Sequence, residues 1–407
     1  MTGVSSLAFV TIVSKNYLSF ARVLVAGLQR HHPDADCFVA LADEVEGRFE
    51  PEREAFTLLH LADLAIADLE GFRFRHGHPI LAVAAKPFVL AHLLGRGYRT
   101  VVFLDADMLV LADLAPLVAA ATDHAIVLTP HLLEPPSGPD AIQRELQILR
   151  SGGFNGGVVS VSDTTEARHF LDWWQDRVRE RCEHDVAHGM FLDQRWLDLA
   201  PSYFADLHVL TDPSINVAYW NLDERSLAFS GVAVQVDGGP CRLLHASGFD
   251  PGHPHRLTRH GPAAGLSGRG AVGALFARYR SLLEEAGHQE TSGWPYAYAA
   301  FSNGIRIPDL ARRIHRDLGP AARRFGDPAD AGGPASYFAW LTAPREDSAG
   351  SAAPLTPLWQ AIWESRPDVR RAFPDPAADD QEGFLRWLRA SAGSEHGLAP
   401  ELLPAPS

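Results

Sequence analysis

Residues 101–114 read VVFLDADMLVLADL, an apolar run that meets two aspartates one residue apart, Asp105 and Asp107, and then continues apolar. Two carboxylates this close repel each other, and at the end of an apolar segment they are costly unless a cation neutralises them. A divalent metal does this most simply. In an extended strand, residues i and i+2 share a face, so both carboxylates can reach one ion while Ala106 packs behind them. Hard cations such as Mg²⁺ and Mn²⁺ favour oxygen ligands and bring phosphates with them. Two solvated aspartates in a turn are the plain alternative, and the rest of the chain has to choose. Of 36 basic residues only Lys15 and Lys86 are lysines. Against a background of arginine, a retained lysine can mark a place where a compact point charge is used.

The elements that must position these residues alternate. LAFVTIV (7–13) reads as a buried strand, YLSFARVLVAGLQRHH (17–32) as an amphipathic helix, and DCFVALAD (36–43) as the next strand. KPFVLAHLLGRG (86–97) reads as a helix with Pro87 in its first turn and a glycine end, leading into a strand at 100–104. Short strands follow at 124–129, 156–162, 232–236 and 241–245. Strands alternating with helices imply an α/β fold on a mostly parallel sheet, and ligands in such sheets sit beyond the carboxyl ends of the strands. Asp105 and Asp107 lie at such an end.

After about residue 250 the character changes. DPGHPHRLTRHGPAAGLSGRG (250–270) reads as a long mobile loop. Helices are expected at 271–287, 307–319 and 381–391, with a flexible break near 344–356. The expected organisation is a catalytic domain over residues 1–262 and a smaller helical region over 263–407.

Composition narrows the function. At 407 residues, 46% hydrophobic and 21% charged, the chain can bury a sizeable core. A net charge of −14 argues against a nucleic-acid partner and an anionic membrane surface. No apolar run reaches the ~18 residues of a membrane span, and the N-terminal stretch lacks a basic, then apolar, signal pattern, so the expectation is a cytoplasmic protein. Cys37, Cys182 and Cys241 are widely spaced and suggest neither a disulfide framework nor a zinc site.

The strand-helix-strand start ending in SKNY, a basic residue on the helix before VVFLDADMLVL, then GGFNGGVVSVS, FLDQRWLD and LLHASGFDP stand in one order. That order resembles GT-A glycosyltransferases, most closely the retaining group that includes glycogenin and bacterial lipooligosaccharide galactosyltransferases. SINVAYWNLDER is also similar to bacterial relatives of that group. The likeness covers roughly residues 7 to 260. It implies a Rossmann-like GT-A domain that takes a sugar from a nucleoside-diphosphate sugar, with UDP as the favoured nucleotide. It further implies a Mn²⁺ or Mg²⁺ cofactor, an acceptor of unknown type, and retention of anomeric configuration.

On that resemblance Asp105, Asp107 and His245 hold the metal, a set of oxygens and one imidazole that suits Mn²⁺. Asp193 and Gln194 match the acidic and amide pair beneath the donor sugar, where positive charge builds on the anomeric carbon. Whether Asp193 attacks that carbon or orients a front-face substitution is left open by the sequence. Thr11, Asn16, Tyr17, Lys86, Asp105, Asn155 and Gly248 match donor-binding positions. Asn155 lies in a glycine-rich turn where its amide could hold a sugar hydroxyl or cap the turn. The family motif continues to a lysine after the histidine, but HASGFDPGHPHRLTRH has none, so Arg256 or Arg259 is expected to clamp the phosphates from a closing loop. Two other classes stand beside this one. A haloacid-dehalogenase-type phosphatase also begins with an apolar strand and D-x-D, but needs a nearby Thr or Ser and a later lysine, and no lysine follows Lys86. A non-catalytic sugar-nucleotide-binding protein has no sequence feature of its own.

Overall fold

The computed structural model describes residues 6–230, 233–260, 266, 270–344 and 355–405. The chain divides into two compact units, Met1–Ile66 with Ala82–Tyr296, and Ala67–Leu81 with Ala297–Ser407.

In chain order the first strands of the larger unit are β1 (Leu7–Val13), β2 (Asp36–Leu41), β3 (Thr57–His60), β4 (Thr100–Leu104), β5 (Met108–Val110), β6 (Ile126–Pro130) and β7 (Phe154–Ser162). All but β5 join one seven-stranded sheet together with Leu207–Val209, in the order Leu207–Val209, β6, β7, β4, β1, β2, β3. Only β7 runs against its neighbours, so this is the mostly parallel α/β sheet expected from the alternation. β1 is buried along its whole length apart from half-buried Leu7. A strand covered on both faces has no use for polar alternation, which is why LAFVTIV is a continuous apolar run. The helix Leu18–His31 follows it, and Lys86–Gly95 opens with Pro87, whose missing N–H costs nothing in a first turn. Thr164 starts the helix Thr165–Glu180 by accepting the N–H of Ala167 at its side-chain oxygen.

A second, three-stranded sheet sits at the end of β4. β5 pairs antiparallel with Leu243–His245, which pairs parallel with Val217–Ala218. The strand expected at 232–236 lies outside the main sheet, in an antiparallel set of Leu227–Ser230, Ala233–Val236 and Gly239–Pro240.

Two expectations are corrected. The boundary at 262/263 moves to 296/297, because the helix Ala271–Glu285 packs Leu275, Phe276, Tyr279 and Leu283 into the same core as Phe20 and Phe249. An amphipathic helix has the same sequence pattern whichever core it covers. The stretch read as a long mobile loop is anchored over its described part. Phe249, Leu257 and Leu266 are buried in that core, and the N–H groups of Arg259 and Leu266 donate to the carbonyls of Gly248 (2.9 Å) and His255 (2.8 Å). A few apolar anchors and backbone bonds are enough where the core offers sockets. Residues 261–265 and 267–269 lie outside the described residues.

The smaller unit is helical, with Asp309–Asp317 and Gln381–Trp387 close to the expected positions. Its core holds Phe74, Tyr337, Ile362, Phe384 and Leu388. Phe74 comes from the inserted segment Ala67–Leu81, and its carbonyl accepts from Arg312 Nη1 at 2.7 Å. Most of the break expected near 344–356, residues 345–354, lies outside the described residues.

Candidate metal and sugar-nucleotide site

The two aspartates of the D-x-D lie in a turn between β4 and β5 and not within a strand. They converge all the same. The Asp105 N–H donates to the Gly157 carbonyl at 2.8 Å, extending the pairing of β4 with β7 by one residue. The Asp107 carbonyl accepts from the Ala246 N–H at 2.9 Å, and His245 faces Met108 across the small sheet. Chain segments more than a hundred residues apart are thereby fixed around one point. His245 Nε2 lies 3.2 Å from Asp107 Oδ1 and 3.8 Å from Asp105 Oδ2. The three groups offer ligand atoms all within 4.8 Å of one another. His245 is 2% exposed, whereas the carboxylates keep 32% and 23% of their side-chain surface. The ligand atoms therefore line a wall that is open on one side. Hard carboxylate oxygens with one imidazole nitrogen fit Mn²⁺ or Mg²⁺, and such convergence of acceptors calls for a cation.

Lys86 supplies a second positive charge beside this wall. Its Nζ is 3.3 Å from Asp105 Oδ1 and 3.2 Å from Asp193 Oδ2, and donates to the Gly156 carbonyl at 2.9 Å. Burial works against its charge, but Asp105 and Asp193 outweigh that and hold its pKa above the usual lysine value. Burial lifts Asp193 to about 6, opposed by Lys86 and aided by the charge of Asp105. Trp174 Nε1 donates to the Asp193 carbonyl (3.3 Å), while Gln194 is held by the Gly156 N–H (3.3 Å) and the Ser151 carbonyl (2.8 Å). Asp193 and Gln194 thus face the same glycine turn as Lys86.

Glycine is required in that turn by space. A Cβ on Gly157 would stand 2.6 Å from Asp105 Oδ2 and 2.8 Å from both Asn155 Oδ1 and His245 Cε1. Gly157→Ala is expected to lower Mn²⁺ affinity at least about tenfold by pushing these groups apart. Titration of Mn²⁺ followed by electron paramagnetic resonance reads this directly, and an unchanged affinity would show that the cluster does not hold the ion.

The other expected site residues fall into two groups. Asn155 is buried in the same turn, with Oδ1 accepting the Gly157 N–H at 3.1 Å. Thr11 is buried in β1, and its hydroxyl has no hydrogen-bond partner among the described residues. Asn16 accepts from Ser14 Oγ at 2.5 Å. Tyr17 stacks on Phe20, and its hydroxyl accepts from Arg259 Nη2 at 3.3 Å. Gly248 has φ +70°, and a Cβ there would collide with His260 and Thr258. Arg256 is not brought in: it is exposed, with no side-chain hydrogen bond or ion pair among the described residues. Lys15, the other lysine, is buried and paired with Asp43 at 3.0 Å and Glu46 at 2.8 Å. The residues that sequence reasoning missed are Asn216, His131 and Gly157. Asn216 lies in SINVAYWNLDER, where similarity to relatives was the one available signal.

No family model matches the chain. It is similar to the uncharacterized protein YfnF of Bacillus subtilis (strain 168), 26% identical over 251 residues that cover 60% of this chain and 81% of the relative. It is also similar to YfnD of the same organism, 26% identical over 255 residues that cover 60% of this chain and 78% of the relative. Among solved structures it resembles the galactosyltransferase LgtC in complex with donor and acceptor sugar analogs, at 17% identity and a TM-score of 0.42, over 68% of this chain and 95% of that one.

Proposed function

We propose that the chain moves a sugar from a nucleoside-diphosphate sugar to an acceptor hydroxyl, with a divalent ion and with retention of anomeric configuration. The observation that carries this reading is the convergence of Asp105, Asp107 and His245 beside the buried Lys86–Asp193 pair. UDP as the nucleotide and a cytoplasmic location belong to the same proposal and rest on the sequence. No helix among the described residues is long and apolar enough to cross a membrane.

In this reading Asp105, Asp107 and His245 hold the ion, which when bound offsets the negative charge gathering on the diphosphate. Lys86, tied to both Asp105 and Asp193, holds the ion-binding carboxylate and the carboxylate assigned to the sugar in a fixed relation to each other. The bond from the anomeric carbon to the diphosphate oxygen breaks, and a bond from that carbon to the acceptor oxygen forms. The acceptor's proton leaves with the diphosphate. Asp193 and Gln194, presented at the Gly156 turn, bring oxygen atoms to the carbon where positive charge builds.

A thermal-shift screen of nucleoside-diphosphate sugars with and without Mn²⁺ tests this. A donor at about 100 times its dissociation constant should add about 2.7 kcal/mol of stability. A phosphatase would instead release inorganic phosphate from phosphomonoesters and show no sugar-nucleotide preference. Among the described arginines of the loop, Arg259 is the one that contacts Tyr17, which this reading assigns to the nucleotide. Arg259→Ala is expected to weaken nucleoside-diphosphate binding severalfold and to raise donor hydrolysis relative to transfer, whereas Arg256→Ala leaves both near the parent values. Isothermal titration with UDP and product analysis check this; equal behaviour of the two variants would remove Arg259 from the clamp.

A further inference from the structure

Asn216 is almost wholly buried and sits behind His245, on the side away from the two aspartates. Its backbone has φ +60°, a left-handed conformation that asparagine, aspartate and glycine adopt far more readily than other residues. Its side chain joins three others. Oδ1 lies 2.9 Å from His245 Nδ1, and Nδ2 lies 3.2 Å from both Asn155 Oδ1 and Thr129 Oγ1. Its carbonyl accepts from Asn221 Nδ2 at 3.1 Å.

The directions of these bonds can be worked out from the backbone. The Gly157 N–H can only donate, so the Asn155 atom facing it at 3.1 Å must be the amide oxygen. Asn216 meets that same oxygen, so it must present its NH₂ there and its own oxygen to His245. An oxygen can only accept, so His245 must carry its proton on Nδ1. In the neutral ring, the form that can bind a metal, Nε2 is then the lone-pair nitrogen, and it is Nε2 that faces Asp107 and Asp105. The far end of the chain agrees. The remaining Asn155 nitrogen is 3.4 Å from His131 Nε2, which must accept, and burial pulls His131 down to about 4, leaving a neutral ring able to do so.

We propose that Asn216 is a positioning residue that sets the tautomer and ring orientation of His245, so that the imidazole is a ready ligand and is linked through Asn155 to the sugar side of the site. This rests on the metal reading above, but the tautomer itself does not. Partners behind a ligating histidine fix its tautomer, and their loss costs about 10–100-fold in metal affinity. Asn216 has a second consequence: because it holds both His245 and Asn155, displacement of either is felt by the other.

Two variants suit the left-handed backbone. Asn216→Gly removes the side chain without strain, and Asn216→Asp keeps an acceptor for His245 while losing the donor to Asn155. Long-range ¹H–¹⁵N spectra of ring-labelled protein in alkaline, metal-free buffer, with His245 assigned by its own substitution, read the tautomer. The parent chain is expected to show the proton on Nδ1, and Asn216→Gly a mixture or the Nε2–H form. A parent ring protonated on Nε2 would overturn the proposal. Mn²⁺ titrations are expected to show about a 10–100-fold loss in Asn216→Gly and a return to within a few-fold of the parent in Asn216→Asp. An unchanged affinity in Asn216→Gly, or equal losses in both variants, would overturn it as well. A parent chain that binds no Mn²⁺ would count against the metal reading instead, and the tautomer would still decide the role of Asn216.

Discussion

Asp107→Asn is expected to lower sugar transfer by about 10²–10³-fold with the fold intact, and excess EDTA to do the same to the parent chain, a barrier change of roughly 3–4 kcal/mol. The substitution is nearly isosteric and falls on a side chain that keeps 23% of its surface, so little packing is lost. What changes is charge. Burial works against the Asp107 carboxylate, but His245 beside it, when protonated, more than offsets this and holds its pKa below the usual range. An amide cannot play that part for an imidazole or for a cation. The expected signature is a Mn²⁺ requirement that shifts to much higher concentration in the variant. A variant with the parent's Mn²⁺ dependence and rate would exclude Asp107 from the ion site.

Lys86→Met is expected to cost about 3–5 kcal/mol of stability, because removing one partner of a buried ion pair leaves the other uncompensated. Lys86 and Asp193 have side chains only 5% and 3% exposed, so solvent can do little to relieve the stranded carboxylate. The double variant Lys86→Met with Asp193→Asn should recover much of that loss while remaining inactive, and chemical denaturation of the four proteins completes the cycle. A double variant as unstable as the sum of the two singles would mean that the groups do not interact. The sign of the pH effect is set by Asp193. Its folded pKa, about 6, is above its ordinary value of 3.8, so the folded chain holds a proton that the unfolded chain has released. Its contribution to stability is therefore greatest in acid and is lost as pH rises from about 4 through about 6.

Much of this was legible because it was local. β1 and β4 are short apolar runs with nothing else to become, and the helix after Lys86 carries its proline and its glycine at the expected ends. The D-x-D drew attention because paired carboxylates after a buried strand are costly wherever they fall. The pairing of Asp107 with His245 was reachable only through a family resemblance, since it depends on β5 meeting Leu243–His245 across more than a hundred residues. Asn216 was less visible still. A single asparagine in a turn has no periodicity, and its worth depends on which atoms of Asn155 and His245 face it. The domain boundary failed for a similar reason: Leu275 and Tyr279 complete the core of the first unit, but their helix reads the same in either unit. The helix Ala141–Ser151 shows the opposite limit, with Ile142 73% exposed and Leu149 64% exposed on a face that periodicity alone would have sent inward.

Slow hydrolysis of a nucleoside-diphosphate sugar by the purified chain, with no acceptor added, puts the central claim to its most direct test. Water can stand in for the acceptor hydroxyl, so a competent transferase should release free sugar and nucleoside diphosphate in the presence of Mn²⁺. The expected result is release of a sugar of unchanged anomeric configuration, lost in EDTA and in Asp193→Asn. A donor that binds in the presence of Mn²⁺ but stays intact with every acceptor class supplied, water included, would contradict the claim and leave a binding protein in its place.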